Sequence, residues 1–380
     1  MKLYSKYISS NKIILVWIIL LLSFPMLGHY IKAYNTTNIY NLGKDSIRFI
    51  NLAESILSGG AFQGKEIFYL GYSLILSFFF KFKLSFNFVV LFQCLMSLIS
   101  AIYLKKISKK LGLKNPEIVM MLFLFCIPIQ MRNFFILSDS IFISFSIITF
   151  YYFIKKKNIK NILIFICLSL FTFTIRPHGI LILLLIIIYF FEIVPKSQKN
   201  IYRFLYIFVL GIPFIYLLDF YLDKTTKNYF YISGEVIFGY KEIIVEYKNL
   251  PKNLIEKSVI YQNIYLLFNF PLESIKLYLY KIFFFISGLR PYYSLSHNIL
   301  EFFTTFVFFI IGIVSLFTGF NNKIKNYIML IIFFYIIGAL ITGPDWSGRY
   351  RMYLMPFIYI LSAETIENFF YKFKVNQKKN

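Results

Sequence analysis

The sequence predicts an all-α polytopic membrane protein. Of its 380 residues, 59% are hydrophobic, 21% are aromatic and only 15% are charged, whereas soluble domains are about 45–50% apolar and about 25% charged. Forty basic residues against 17 acidic ones give a formal net charge of +23. This composition excludes a disordered chain, a coiled coil and a soluble nucleic-acid binder, so no nucleic-acid partner is expected. In a membrane protein, the basic excess first indicates cytoplasmic loops that obey the positive-inside rule.

Ten apolar runs are candidate spans, several of them short. A spanning helix needs about 20 mostly apolar residues, with a range of about 17–25. The first run follows Lys2, Lys6 and Lys12 and lacks a small-residue cleavage site, so we interpret it as a retained signal anchor. Two further apolar stretches, 67–80 and 276–289, are ambiguous. The ten candidate spans are residues 13–29, 86–104, 118–136, 140–154, 161–176, 180–194, 204–222, 298–319, 326–342 and 353–370.

The positions of the basic clusters decide the topology. If 67–80 spanned the membrane, the lysines of 105–114 and 155–157 would fall outside. If it lies at the outer interface, every basic cluster falls inside, as the positive-inside rule requires. The clusters are the N-terminus, 105–114, 155–160, 196–203, 323–325 and 372–379. The sequence therefore predicts ten spans with both termini cytoplasmic and two large outer segments, 30–85 and about 223–297.

This topology divides the chain into three parts. Residues 1–222 form an N-terminal transmembrane module that contains the first outer loop, 30–85. Residues 223–297 form a large outer loop with interfacial helices. Residues 298–380 supply the C-terminal transmembrane helices.

The first outer loop is predicted to contain two helices that lie in the plane of the membrane interface. Residues 46–57 have the periodicity of an amphipathic helix, which Gly59-Gly60 ends. Residues 67–80 would form a second, more apolar interfacial helix. The apolar face predicted for the first helix consists of Ile47, Ile50, Ala53 and Leu57.

The arginines are few and concentrate on one predicted side. Only seven residues are Arg, and all except Arg203 map to the outer side, as do the histidines His29, His178 and His297. Arginine binds phosphate or carboxylate through two parallel hydrogen bonds, unlike lysine. The outer face therefore suits anion recognition, although pairing with loop acids or lipid headgroups is the alternative. The six outer arginines are Arg48, Arg132, Arg176, Arg290, Arg349 and Arg351.

Two outer acids stand at the starts of predicted helices. Asp45 occurs in the segment Gly-Lys-Asp-Ser, and Asp139 in Leu-Ser-Asp-Ser. Each could be a helix N-cap, which Asp favours, or a functional carboxylate. The cysteines Cys94, Cys126 and Cys167 lie in apolar runs without CxxC spacing, so neither a disulfide framework nor a zinc site is expected.

The ordered set of outer motifs resembles the GT-C glycosyltransferases, in particular the protein O-mannosyltransferase and aminoarabinose-transferase group. Asp45, Phe49, Leu52-Ala53 and Gly59-Gly60 match the first-loop pattern, with Phe49 where Tyr is usual. The family often opens the second in-plane helix with Pro and Tyr, and here only Tyr69, Gly71 and Tyr72 stand there.

Three later segments resemble the same family in the same order. "RNFFILSDSIF" carries the second acid, Asp139, and "FTFTIRPHGILILL" carries an Arg-Pro-x-Gly segment that starts at Arg176. "GRYRMYLMPFIY" resembles the Arg-Tyr segment that opens the last span, with Pro356 following. The likeness covers about the first half of the chain and its last 40 residues, and 223–297 matches no family.

The resemblance implies an inverting transfer of a sugar from a polyprenyl-phosphate-linked donor to a lipid, glycan or protein on the outer face. Asp45 would act as general base. The leaving phosphate would be stabilised by arginines, with His178 as a hydrogen-bond donor, Asp139 at the acceptor or a metal, and Tyr350 stacking or hydrogen-bonding. The substrate-binding set is Arg48, Asp139, Arg176, His178, Arg349, Tyr350 and Arg351.

The same resemblance leaves cofactors and two other functions open. No metal site or certain cofactor is expected, while a divalent metal stays open. The expected location is the bacterial inner membrane, with membrane lipid as surroundings and the active face outside. One alternative is an O-antigen or polysaccharide polymerase or ligase, which would use the late loop 223–297. The other is a lipid-linked sugar flippase or transporter, with buried ionisable pairs.

Overall fold

The described part of the chain is all-helical, which confirms the predicted fold class. A computed structural model describes residues 10–20, 40–60, 64–155, 158–193, 209, 211–220, 222, 232–318, 322–341 and 348–377. Within those residues there is no β-strand, and only two isolated bridges join extended segments, Asn41 to Phe135 and Glu235 to Ile244.

Ten helices belong to the first 222 residues as described. They are α1 Ser10–Leu20, α2 Lys44–Leu57, α3 Leu70–Lys81, α4 Phe86–Leu111, α5 Glu117–Leu124, α6 Ile127–Gln130, α7 Asp139–Phe153, α8 Ile159–Ile175, α9 Ile180–Ile193 and α10 Gly211–Phe220. Three 3₁₀ turns connect some of them: Gly64–Tyr69, Met131–Phe134 and Pro177–Gly179.

Seven further helices follow in the rest of the described chain. They are α11 Val259–Asn269, α12 Pro271–Ser287, α13 Leu295–Glu301, α14 Val307–Thr318, α15 Lys323–Ile341, α16 Arg349–Met352 and α17 Met355–Gln377. A π-helical turn, Phe302–Phe306, joins α13 to α14. The core is built chiefly by α4 against α7, α7 against α8, and α14 against α17.

Three continuous helices are long and apolar enough to cross a membrane: Phe86–Leu111, Leu295–Ser315 and Lys323–Ile341. A fourth span is added if the bent pair Glu117–Leu124 and Ile127–Phe134 counts as one. Other apolar helices are shorter. Of the predicted span 204–222 the structure describes only 209, 211–220 and 222, and of 13–29 only 13–20. The number of ten spans stays a prediction.

The first helix of the outer loop forms, but its predicted apolar face is fully buried only at Ala53. Ile47 and Leu57 are exposed, while Phe49 and Leu52 are buried. The reason is the aromatic contact with the next helical segment: the Phe49 ring meets the Tyr72 ring edge-on at 5.2 Å. A large ring gains more from burial than a peripheral Ile, so Phe49 sets the orientation of the helix.

Neither outer acid is a helix cap. The N-cap of α2 is Gly43, whose backbone N–H donates to Ser46 Oγ at 2.9 Å, and α2 begins at Lys44 rather than Ser46. The N-cap of α7 is Ser138. Asp45 and Asp139 therefore lie in the first turns of their helices, where the helix dipole favours a negative charge, and their carboxylates are available to other side chains.

A backbone bridge places the starts of α2 and α7 side by side. Asn41 N–H donates to the Phe134 carbonyl at 2.7 Å, and Ile136 N–H donates to the Asn41 carbonyl at 3.1 Å. Buried Gln93, on α4, donates through Nε2 to the carbonyls of Asn133 at 2.6 Å and Phe135 at 3.0 Å. These bonds fix the loop that carries Asp139 against the loop that carries Asp45.

The predicted span 118–136 is broken. Its two halves, α5 and the segment after it, meet at 62°, and Pro128 lies in the first turn of α6. Buried Gln130 holds the break: it accepts from Trp17 Nε1 at 3.3 Å and donates to the Phe123 carbonyl at 3.0 Å. A buried amide with partners on several helices satisfies polar groups that the bend leaves open.

We expect Gln93→Leu to destabilise the fold by about 2–4 kcal/mol, because it strips hydrogen bonds from two buried carbonyls and from the Tyr72 hydroxyl, which donates to Gln93 Oε1 at 2.9 Å. The measurement is thermal unfolding in detergent. Leu95→Met, at an exposed position of the same helix, is the matched control and should unfold as the wild type does. An unchanged melting temperature for the Gln93 variant would contradict the bridge's importance.

Candidate functional site

The Asp45 carboxylate is held between two arginines. Arg48 Nη2 donates to Oδ1 at 3.1 Å from the next turn of α2, and Arg349 Nη1 donates to Oδ2 at 3.1 Å from α16. The Arg48 guanidinium also lies over the Tyr69 ring, 4.7 Å from its centroid. The Asp45 side chain retains 38% of its exposure. It is therefore charge-paired yet reachable from outside the bundle.

The Asp139 carboxylate is buried and charge-paired. Tyr353 donates its hydroxyl to Oδ1 at 2.7 Å, and Arg176 Nη1 lies 2.9 Å from Oδ2 as an ion pair. The same arginine nitrogen donates to Ser138 Oγ at 3.0 Å, and its guanidinium lies 5.3 Å from the Tyr353 ring centroid. Three segments distant in sequence thus meet at one carboxylate.

The Arg-Pro-His-Gly turn aims Arg176 inward. Arg176 is extended and ends α8, and Pro177–Gly179 forms a 3₁₀ turn. A Cβ on Gly179 would lie 2.5 Å from Phe173 Cα and 2.6 Å from the Thr172 carbonyl oxygen. Only glycine fits there, because those neighbours are backbone atoms that cannot move aside. The turn therefore requires glycine at this position in order to pack closely and to direct Arg176 inward.

Arg349 connects the two acids electrostatically. Burial raises the pKa of Asp139, but Arg176, then Arg349 and Arg132, and the Tyr353 hydroxyl outweigh it and hold this pKa well below its usual range. Asp139 precedes the predicted span 140–154. Arg349 pairs directly with half-exposed Asp45 and acts on buried Asp139 only through its positive charge.

His178 is a neutral ring packed against tyrosines. Its centroid lies 4.2 Å from that of Tyr350 and 5.4 Å from that of Tyr353. Burial, followed by the positive charges of Arg176 and Arg349, lowers its pKa to about 3. Nδ1 is buried without a hydrogen-bond partner among the described residues. A neutral imidazole has one donor nitrogen and one acceptor nitrogen, so His178 can offer a hydrogen bond without carrying a charge.

Arg351 occupies a different, buried position. Its Nη2 donates to Glu301 Oε2 at 2.6 Å, with both side chains almost fully buried. Gly348 and Gly288, both with φ +65°, lie against this guanidinium. The structure brings Asp45, Arg48, Arg349, Asp139 and Arg176 together, with His178 and Tyr350 alongside, but it places Arg351 on Glu301 instead of on either aspartate.

Sequence reasoning missed several members of these clusters. It gave no role to Tyr353, Gln93, Ser138 or Glu301. A carboxylate inside an apolar helix requires a partner, and that signal could have linked Glu301 with a nearby arginine. Tyr353 gave no signal of its own, because tyrosine is abundant in the chain, with 31 copies.

The described residues contain no group of three or more His, Cys, Asp or Glu side chains that could hold a metal ion. The free cysteines among them are Cys94, Cys126 and Cys167. In comparisons with known proteins, no family model, no curated protein and no solved structure matches this chain.

The low pKa of His178 predicts acid sensitivity. Because the pKa falls from 6.5 in the unfolded chain to about 3 in the folded one, the unfolded state binds the proton first, and stability is lost as pH falls below about 6.5. The slope contributed by this group approaches 1.4 kcal/mol per pH unit at most.

We expect His178→Gln to flatten the fall in melting temperature between pH 6.5 and pH 4.5. His297→Gln, which removes an exposed histidine, should keep the wild-type fall because His178 stays in place. Identical pH profiles for the His178 variant and the wild type would contradict a buried neutral ring.

Gly288 provides a test of the buried Arg351–Glu301 pair. A Cβ at Gly288 would overlap the Arg351 guanidinium in addition to the strain of φ +65°, so Gly288→Ala should displace Arg351 and leave Glu301 buried with a weakened partner. We expect a loss of about 3 kcal/mol or more. The control is Gly59→Ala, at φ +74° with no atom within 4 Å. It introduces only the backbone strain of a positive φ and should cost about 1–2 kcal/mol. Equal losses in thermal unfolding would contradict the overlap.

Proposed function

We propose that the chain is a membrane glycosyltransferase of the GT-C type that moves a sugar from a polyprenyl-phosphate-linked donor to an acceptor on the outer face. The observation that carries the proposal is the Asp45 carboxylate, half-exposed and held by Arg48 and Arg349. The positive charge of Arg349 also acts on buried Asp139, which is paired with Arg176. A base and several phosphate-binding cations are thereby concentrated at one end of an apolar bundle.

In the proposed reaction, an acceptor hydroxyl attacks the anomeric carbon and transfers its proton to Asp45. The bond between that carbon and the phosphate oxygen breaks, the phosphate leaves with the bonding electron pair, and the configuration inverts. A weak nucleophile such as a hydroxyl gains from a carboxylate within about 2.6–3.2 Å of its proton. Charge develops on the phosphate, where a preorganised guanidinium stabilises the transition state.

Arg349 is suited to bind the leaving phosphate because it pairs with Asp45 and its charge also acts on Asp139. In the free enzyme it donates to Asp45, and a bound phosphate would compete for it and free one Asp45 oxygen to accept the proton. Arg176 would stay paired with Asp139, and its positive charge would help to stabilise the phosphate. Arg48 would retain Asp45, His178 and Tyr350 would hydrogen-bond or stack at the rim, and Arg351 would support Arg349 from its pair with Glu301.

The finer topology belongs to the same proposal. Ten spans, in-plane placement of α2 and α3, cytoplasmic termini and a bacterial inner-membrane location would put the donor's prenyl chain beside the bundle and its phosphate at the arginines. The exposed Ile47 and Leu57 of α2 support an interfacial position, since exposed large apolar side chains suit the headgroup boundary.

Two observations favour the alternative functions, a polysaccharide polymerase or ligase and a transporter. The late loop supplies Arg290, which is buried near Gly348 and Arg351. A polymerase or ligase would use an arginine from this loop. Lys325 and Glu364 form a buried ion pair at 3.3 Å, a feature of transporters. Transfer of the sugar to a product separates enzyme from transporter, and the requirement for Asp45 separates the GT-C reaction from late-loop chemistry.

We expect Asp45→Asn to lower sugar transfer by about 10²–10⁴-fold, because the amide keeps the side-chain volume but cannot take the proton. The assay is mass spectrometry of the glycan, lipid or protein acceptor fraction from cells that carry the variant in a deletion background. Glu54→Gln, on an exposed position of the same helix, is the matched control and should transfer normally. Full activity in the Asp45 variant would refute the assignment.

A further inference from the structure

A cluster of lysines and tyrosines lies at the far ends of α4 and α7, and the proposed function does not use it. Lys106 Nζ is 4.7 Å from the Tyr103 ring centroid, and Lys155 Nζ is 4.9 Å from that of Tyr152. The central ring, Tyr151, has three ammonium groups near it: Lys106 at 5.9 Å, Lys110 at 5.7 Å and Lys155 at 5.8 Å. We call these six residues the Lys–Tyr cluster.

The three tyrosines form one aromatic base for the cluster. The Tyr103 and Tyr151 rings meet edge-on at 4.9 Å, and the Tyr151 and Tyr152 rings at 5.5 Å. A ring face attracts an ammonium group, by about 0.5–1 kcal/mol at exposed sites. The lysines are thus drawn together over a shared surface instead of spreading into solvent.

Among the described residues, no carboxylate compensates the three positive charges. Each lies within 5.9 Å of the Tyr151 centroid, so no two can be farther apart than 11.8 Å, twice that distance. Within the described ranges no carboxylate makes an ion pair with any of them, whereas nearby Lys105 is paired with Glu117 at 3.0 Å. Burial and the positive charge of Lys155 lower the pKa of Lys110, which follows the predicted span 86–104, so an external anion bound among the three would relieve their repulsion.

The location of the cluster indicates which kind of anion it binds. It lies where α4, a candidate membrane span, ends, and the exposed side chains Leu91, Leu95 and Ile102 precede it along the helix. Tyrosine is typical of the membrane–water boundary, and basic residues there attract anionic headgroups by about 1 kcal/mol each. An acyl chain along α4 would bring its phosphate to the lysines.

We propose that Lys106, Lys110 and Lys155 around Tyr151 form a binding site for the phosphate of an anionic phospholipid. The site is separate from the Asp45–Asp139 region: α7 runs from Asp139 to Phe153, so about 21 Å of helix lies between them at 1.5 Å per residue. The proposal is independent of the glycosyltransferase assignment.

The test uses the full chain, purified in detergent. Phosphatidylglycerol and phosphatidylcholine of equal chain length are added in turn, and retained lipid is counted by native mass spectrometry alongside the melting temperature. The wild type should retain phosphatidylglycerol preferentially. The triple variant Lys106→Gln, Lys110→Gln, Lys155→Gln should lose that preference by about tenfold or more in apparent affinity, while the corresponding triple Lys→Arg variant should keep it.

The matched control removes the same number of charges from exposed lysines near the same helix ends: Lys109→Gln, Lys114→Gln, Lys160→Gln. It should retain phosphatidylglycerol like the wild type. Equal loss in both triple Gln variants, or no preference in the wild type, would overturn the proposal. Inorganic phosphate is added alone as a separate arm. Stabilisation of the wild type by phosphate but not by phosphatidylglycerol would reject the lipid as the source of the anion.

Discussion

The arrangement of the site depends on the buried ion pair between Asp139 and Arg176. A carboxylate with 1% side-chain exposure costs several kcal/mol to desolvate, and the attraction of its partner offsets this only if the geometry is fixed and the other lone pairs are satisfied. Tyr353 supplies one such hydrogen bond, and Gly179 lets the Arg176 turn pack closely against α8. The pair therefore holds three parts of the chain together: the region of α16 and α17, the turn between α8 and α9, and the start of α7. This arrangement places Arg349 next to Asp45.

The charges around this pair are unequal. Asp45 and Asp139 face Arg48, Arg176 and Arg349, and Arg132 is close enough to lower the pKa of Asp139. His178 is neutral and does not change the balance. Under the proposed function, this excess of guanidinium over carboxylate charge favours binding of one further anion, and a phosphate matches both the fork geometry and the sign. In the proposed reaction, Arg349 would leave Asp45 without leaving that carboxylate unpaired, since Arg48 remains.

The sequence predicted the all-α class and the components of the Asp45–Asp139 region, because arginine type, membrane side and motif order are local signals. It could not predict which arginine meets which acid. Arg349 and Arg351 are two residues apart, yet one reaches an exposed aspartate and the other a buried glutamate from α13. Periodicity identified Ala53 on the buried side of α2 but missed Phe49, since it ranks residues by hydrophobicity and cannot see the Tyr72 ring that packs on Phe49. Long-range packing, which no local window contains, decided both cases.

The helix α7 connects the Asp45–Asp139 region with the Lys–Tyr cluster. Its first residue is Asp139, and its last turn carries Tyr151 and Tyr152 of the Lys–Tyr cluster. Between them it is almost wholly buried, with Ser144 accepting a hydrogen bond from Ser100 of α4 at 3.1 Å. Close packing of this kind transmits strain from one end of the helices to the other. A lipid phosphate that ties the far ends of α4 and α7 together would therefore act on the same two helices that Gln93 and Asp139 fix at the opposite end, and it would restrain the pair without touching the site.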